Sequence, residues 1–167
     1  LTLIGAMMLH KGEVDGMICG TWGSTAMHLQ HVDQVIGLRE GVSTYACMNG
    51  LILPGRQVFL VDTHANADPD AAQLAEITVL AAEERKRFGI QPKAALLSHS
   101  NFGSSQLPSA VKMRDALALI QRRAPGAAAF RVRGQRLLQL LRETQVVHDQ
   151  PAGLVSEHAV HTRNRLH

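Results

Sequence analysis

The stretch Ala94-Ala95-Leu96-Leu97-Ser98-His99-Ser100-Asn101-Phe102-Gly103-Ser104-Ser105 decides the fold: a short apolar run breaks at once into hydroxyls, an amide and a glycine. Such a run reads as a buried strand delivering a polar, backbone-rich loop to the rim of a sheet. Pro108 then suits the first turn of a helix, and Val111, Met113, Leu117 and Ile120 follow at roughly helical spacing. Strand, small polar loop and helix in succession make the geometry of a ligand site.

Upstream the same alternation recurs. Residues 4–9 read as the end of a helix closed by Gly12, and residues 14–19 as a short strand ended by Gly20. After the loop 20–25, Ser24 or Thr25 can cap a helix running to about Leu38, with Leu29, Val32, Val35 and Ile36 as its apolar stripe. Residues 46–53 and 57–61, separated by the turn signal Pro54-Gly55, predict a hairpin. Asp68 is expected to cap the next helix, with Pro69 first and Asp70 in its first turn. That helix runs to about Phe88, with Leu74, Ile77 and Ala81 inward, Glu83 and Arg87 placed for an i,i+4 pair, and Gly89 as its stop. A strand over 93–97 completes the alternation expected of an α/β domain whose parallel sheet carries helices on its faces.

Composition bounds the class. With 167 residues and 46% apolar content the chain can bury a sizeable core, while 4% aromatic content argues against a surface for stacking nucleic-acid bases. The net charge of +3 is not a property of the whole chain. Residues 1–125 hold eleven Lys or Arg and eleven Asp or Glu, whereas residues 126–167 hold six Arg and three acids. We therefore expect neither a nucleic-acid face on the folded part nor a membrane partner, since no apolar run approaches the roughly 18 to 20 residues of a membrane helix. Residues 1–10 lack a basic n-region and an initiating Met, so a fragment is expected rather than a secreted precursor. Cys19 and Cys47 form no Cys-x-x-Cys pair and read as reduced, mostly buried thiols, which fits a cytoplasmic location.

The loops 20–25 and 98–105 share one signature, each following a short strand and opening a helix. Backbone N–H groups, hydroxyls and a helix N-terminus suit a phosphate or carboxylate, although capping alone also explains the hydroxyls. His28 and His31, at i,i+3, are read as surface or partly buried histidines, because spacing fixes no third ligand; no metal site is expected. His64 and His99 follow strands. His99 suits either a general acid or donor to ligand, or a structural loop histidine. The run Asp62-Thr63-His64-Ala65-Asn66-Ala67-Asp68-Pro69-Asp70 imitates a calcium loop but holds Ala67 and Gln73 where Gly and Glu are required. No Gly-x-Gly-x-x-Gly or P-loop is present. The charged group Glu76, Glu83, Glu84, Arg85, Lys86 and Arg87 reads as a solvated helix face.

A set of ordered landmarks resembles the phosphate acetyltransferase and butyryltransferase family, most closely the form fused to the C-terminus of bacterial NADP-dependent malic enzymes. The landmarks are Val14-Asp15-Gly16-Met17-Ile18-Cys19-Gly20, Ser24-Thr25-Ala26, Asn66-Ala67-Asp68-Pro69-Asp70-Ala71, Leu74-Ala75-Glu76-Ile77, Phe88-Gly89-Ile90 and Leu97-Ser98-His99-Ser100-Asn101-Phe102-Gly103-Ser104. They cover residues 1–125, the middle of a domain that is normally longer. The resemblance implies a three-layer α/β/α sandwich of isocitrate dehydrogenase-like architecture, here incomplete, that moves an acyl group between coenzyme A and phosphate. It implies that Ser24, Thr25, Ser98, Ser100, Gly103 and Ser104 line the acyl phosphate or phosphate pocket, with acetyl-CoA or acyl phosphate as the ligand. It implies a homo-oligomeric parent and, for a malic enzyme parent, NADP and a divalent metal outside this fragment.

Two departures bear on catalysis. Where active transferases carry an arginine shortly after Ser-Thr-Ala, this chain has Gln30, and an amide does not replace a guanidinium as a planar, charged phosphate ligand. The family's late segment, with its Ser-Arg pair and downstream aspartate, has no counterpart after Pro125. Residues 126–167 form a divergent tail, lacking lysine and offering only Leu137, Leu138, Leu140 and Leu141 as a helical stripe; a shifted reading frame, disorder or a subunit-binding helix are the readings it allows. The expectation is a regulatory, ligand-binding piece of a malic enzyme that is inactive alone. The alternative is a piece of a catalytic phosphate acyltransferase.

Overall fold

The computed structural model describes residues 1–98 and 104–124 together with the backbone of the strands at 131–133, 145–147 and 158–160. The chain falls into two compact units, Leu1–Val42 with Gly153–His167, and Ser43–Ala152.

In the first unit, α1 (Thr2–His10) is followed by β1 (Met17–Cys19) and α2 (Thr25–Val35). Ser24 is the N-cap of α2: its backbone is extended and its hydroxyl accepts the Met27 N–H at 3.3 Å, relieving one orphan donor of the first turn. The helix stops at Val35 rather than Leu38, with Val32 as its buried residue. β1 pairs antiparallel with β7 (His158–Val160), a strand the sequence pattern of the tail did not announce.

The second unit is a mixed sheet with helices packed on it. β2 (Met48–Leu53) and β3 (Arg56–Val61) form the hairpin expected around Pro54-Gly55, with Leu53 opposite Arg56 and Met48 opposite Val61. α3 (Ala71–Arg87), β4 (Ala94–Leu97) and α4 (Pro108–Arg123) follow, then β5 (Arg131–Arg133) and β6 (Gln145–Val147). The order is β2-β3-β6-β4-β5, and every pairing except the hairpin is parallel. Ala94, Ala95 and Leu96 are all buried, as a strand covered on both faces requires, which is why this segment is a continuous apolar run and not an alternating one. The leucine stripe of the tail lies outside the described residues.

α3 and α4 pack together over a core of Val61, Leu74, Ala75, Ile77, Ala81, Leu96, Met113, Ala116 and Ile120. The buried positions of α3, from Leu74 through Ala81 and Ala82 to Arg85, form one stripe at helical spacing, and the alanines among them let α4 approach closely. The cap of α3 differs from expectation. Asp70, not Asp68, is the N-cap: its carboxylate accepts the Gln73 N–H at 2.8 Å while the Gln73 side chain accepts the Asp70 N–H at 2.9 Å. This reciprocal box satisfies two donors at once, whereas Asp68 is held by an ion pair to Lys112 of α4 at 2.5 Å. Arg87 pairs with Glu84 at i,i+3, 3.1 Å apart. The helix ends in a double turn, Gly89 N–H to Lys86 C=O and Ile90 N–H to Arg85 C=O, and Gly89 at φ +71 supplies the left-handed residue this closure needs.

Arg85 departs from the solvated helix face read from its neighbours. It is 5% exposed, its guanidinium lies 5.3 Å over the Phe59 ring, and Nη1 donates to the Lys93 carbonyl at 3.4 Å. Burial pulls its pKa below the usual arginine value. The contact ties the end of α3 to the start of β4 and to the hairpin.

Candidate ligand site

β3 and β4 both run parallel to β6, so the loops that leave them emerge at the same edge of the sheet. That edge is where open α/β sheets hold ligands. The loop after β4 begins with half-buried Ser98, the loop after β3 spans 62–70, and the Lys112–Asp68 ion pair ties α4 to the latter. The Lys112 side chain is only 18% exposed while Asp68 is 84% exposed, so the lysine stem packs along α4 and its ammonium meets the carboxylate at the rim.

The loop 62–70 is fixed by one carboxylate. Asp62, 9% exposed, accepts the Cys47 N–H at 2.9 Å, the Asn66 N–H at 2.8 Å, the Ala65 N–H at 3.3 Å and the Asn66 side-chain amide at 2.6 Å. Asn66 also donates to the Tyr45 carbonyl at 2.8 Å and accepts from the Thr44 hydroxyl at 3.2 Å. The segment that imitates a calcium loop therefore spends its first carboxylate on backbone N–H groups. Beside it, burial pushes the Cys47 thiol up to about 12, the Asp62 carboxylate pushing the same way against one N–H from His64. The preceding residues are anchored to α3: Ser43 donates its hydroxyl to Glu76 at 2.6 Å and its N–H to the other carboxylate oxygen. Partial burial raises the Glu76 pKa, but the donors from Ser43 and Thr44 and the field of Arg123 outweigh it and hold the carboxyl below its ordinary value.

The far end of the loop after β4 is held from α4. Arg114 Nη1 donates to the Ser105 carbonyl at 2.6 Å and Nη2 to the Gln106 side chain at 3.2 Å, while the Ser105 hydroxyl accepts the Leu107 N–H at 3.1 Å just before Pro108 opens the helix. Ser104 is exposed here. Ser100, Gly103 and His99 lie outside the described residues.

Ser24 and Thr25 stand in the first unit, at the N-terminus of α2, and Gln30 is exposed further along that helix. The loop before it is unusual in its backbone: Gly20 and Gly23 have φ of +157 and +98, and Thr21 has +69, a value a β-branched residue rarely adopts. His28 Nδ1 meets the Thr2 hydroxyl at 2.8 Å and Nε2 meets the Trp22 carbonyl at 2.9 Å, so it is neither a free surface residue nor a ligand partner of His31. Among the described residues no three His, Cys, Asp or Glu side chains are grouped to hold a metal ion.

The landmarks on these loops have counterparts in known proteins. Residues 1–134 match the phosphate acetyl/butaryl transferase family. The chain belongs to that family. The NADP-dependent malic enzyme of Escherichia coli (strain K12) is 56% identical to it over 124 residues, 74% of this chain and 16% of that protein. The phosphate acetyltransferase of Synechocystis is 37% identical over 128 residues, 77% of this chain and 18% of that protein. A crystal structure of a phosphotransacetylase from Streptococcus pyogenes superposes with a TM-score of 0.73 and 28% identity, covering 87% of this chain and 50% of that one. As a phosphate acetyl/butaryl transferase domain the chain thus spans about half of a solved phosphotransacetylase and a sixth of its malic enzyme relatives, and its family landmarks reach both units.

One feature in each unit carries no local signal in the sequence. The loop 62–70 shows in sequence only an incomplete calcium-loop pattern; that it shares a sheet edge with Ser98 follows from strand order, which the sequence does not carry. The hold of His28 on Trp22 and Thr2 had no local signal, since Thr2 is 26 residues away.

Proposed function

We propose that the chain is part of the phosphotransacetylase-like domain of an NADP-dependent malic enzyme, where it binds acetyl-CoA or an acyl phosphate and serves regulation and homo-oligomer assembly. On this reading it catalyses nothing by itself. The observation that carries it is the gradient of similarity, 56% identity to a malic enzyme against 37% to a phosphate acetyltransferase over nearly the same residues. Gln30 supports the absence of turnover, because the arginine expected there supplies charge and a planar fork to phosphate.

The proposed ligand groups are Ser24 and Thr25 at the N-terminus of α2 in one unit and Ser98, Ser100, Gly103 and Ser104 in the other, with hydroxyls and backbone N–H groups taking the phosphate or acyl carbonyl oxygens. The finer fold we assign is an incomplete three-layer α/β/α sandwich of isocitrate dehydrogenase-like architecture. NADP and a divalent metal belong, on this reading, to the remainder of the parent, and the location is cytoplasmic. Among the described residues no helix is long and apolar enough to cross a membrane.

The second reading, a piece of a catalytic acyltransferase, is favoured by the superposition on a phosphotransacetylase at a TM-score of 0.73. Assay of CoA-dependent phosphate release from acetyl phosphate by the full-length parent separates the two. The regulatory reading expects no turnover, with malate oxidation that responds to acetyl-CoA; robust turnover establishes the enzyme instead.

A further inference from the structure

His28 lies one turn into α2, and its ring reaches back over the start of its own helix, the direction in which helical side chains lean. Both nitrogens are engaged. The Trp22 carbonyl only accepts, so Nε2 carries the proton and donates to it at 2.9 Å; in the neutral ring Nδ1 then accepts from the Thr2 hydroxyl at 2.8 Å. A single side chain thus clamps the loop 20–24 to α1. The clamp has a strained residue to hold, because Thr21 at φ +69 keeps a left-handed backbone that a β-branched residue rarely adopts and an unconstrained chain leaves. Gly23 sits close against the ring: a Cβ there would stand 3.5 Å from His28 Nε2 and 2.0 Å from Met27 Cε.

We propose that His28 is a positioning residue, holding Trp22 and Gly23 so that Ser24 and the N–H groups that follow it are presented to an acyl phosphate in a single arrangement. The inference rests on the ligand reading above, and it adds a group that touches no ligand and acts only through the Trp22 carbonyl. Its two contacts are separable by substitution. In His28→Gln the terminal amide reaches as far as Nε2 and keeps a donor for the Trp22 carbonyl while giving up Thr2. In His28→Asn the shorter amide stands where Nδ1 does, keeps Thr2 and releases Trp22.

Trp22 is the single tryptophan of the chain and is 86% exposed, so its fluorescence anisotropy reports the order of this loop directly. The experiment measures, on the full 167-residue chain, Trp22 anisotropy, acetyl phosphate affinity by titration calorimetry, and far-UV circular dichroism for His28→Gln and His28→Asn. The expected result is lowered anisotropy and at least tenfold weaker binding in His28→Asn, with His28→Gln within about threefold of the native chain and helix content equal in both. Native anisotropy and affinity in His28→Asn overturn the proposal, as does equal loss in the two variants accompanied by equal loss of helix, which is the mark of a merely structural histidine. If the native chain itself takes up no acetyl phosphate, the ligand reading fails. The anisotropies of the two variants then decide by themselves whether His28 orders the loop.

Discussion

Removing the Asp62 carboxylate is the perturbation with the largest consequence for the sheet edge. Four N–H groups converge on it, three from the backbone of Cys47, Ala65 and Asn66 and one from the Asn66 side chain. Hydrogen bonds to a charged acceptor contribute about 1.5 to 3 kcal/mol each, so a plain sum runs to roughly 6 to 12 kcal/mol. That sum overshoots, because these bonds are only partly buried and water entering the space left by the carboxylate recovers part of them. Taking two of the four as lost, Asp62→Ala costs about 3 kcal/mol, and Asp62→Asn about 2 kcal/mol, since one oxygen remains while the new NH₂ faces donors. Urea unfolding of the full chain reads this directly. With a slope of about 2 kcal/mol per molar the midpoint of Asp62→Ala falls by about 1.5 M at unchanged slope. A loss under about 0.5 kcal/mol in Asp62→Ala would show that the carboxylate does not organise the loop.

Three further outcomes follow from the same structure. Because the Cys47 thiol is held up near 12 against an ordinary 9.0, its stabilisation is complete below pH 9 and lost as pH rises toward 12, on the order of 1 kcal/mol for each pH unit between them; Cys47→Ala flattens this alkaline slope in pH-dependent urea titrations, and an unchanged slope contradicts the assignment. Glu76 has the opposite sign: with its carboxyl held below the ordinary 4.5, the advantage of the native chain over Glu76→Gln persists above pH 4.5 and shrinks as pH falls through the folded value, whereas a difference that grows in acid refutes it. Gly23→Ala places a Cβ at φ +98 and costs about 1 to 2 kcal/mol by thermal unfolding, mostly from backbone strain because the Met27 Cε it meets belongs to a flexible side chain; a neutral substitution contradicts the loop conformation.

What the sequence disclosed was local. The apolar run 94–97, the Pro54-Gly55 turn and the helical stripe of Leu74, Ile77 and Ala81 each carry their signal within a dozen residues, and each appears in the structure as read. Ser24 as a cap was legible for the same reason. The cap of α3 is ambiguous in sequence because Pro69 suits a first helical position equally well, and the Asp70–Gln73 reciprocity favours the later start that the structure shows. Arg85 was read as solvated from its charged neighbours, yet it lies on the buried stripe eleven residues after Leu74, where a cation survives by sharing the Phe59 ring and the Lys93 carbonyl. The strand order that brings 62–70 and Ser98 to one edge rests on pairings through β6, distant in sequence and without any local pattern. Of the candidate ligand groups in the α2 loop, Ser24 is the cap and Thr25 the first helical residue, and the contacts of His28 with Trp22 and Thr2 were not legible.

Titration calorimetry of acetyl phosphate into the full chain, with the released phosphate assayed in the same cell after adding CoA, tests the central claim most directly. A saturable one-site binding isotherm with no CoA-dependent phosphate release is the outcome predicted by a pocket that binds without reacting. An isotherm without heat, or phosphate release that rises with CoA, contradicts it.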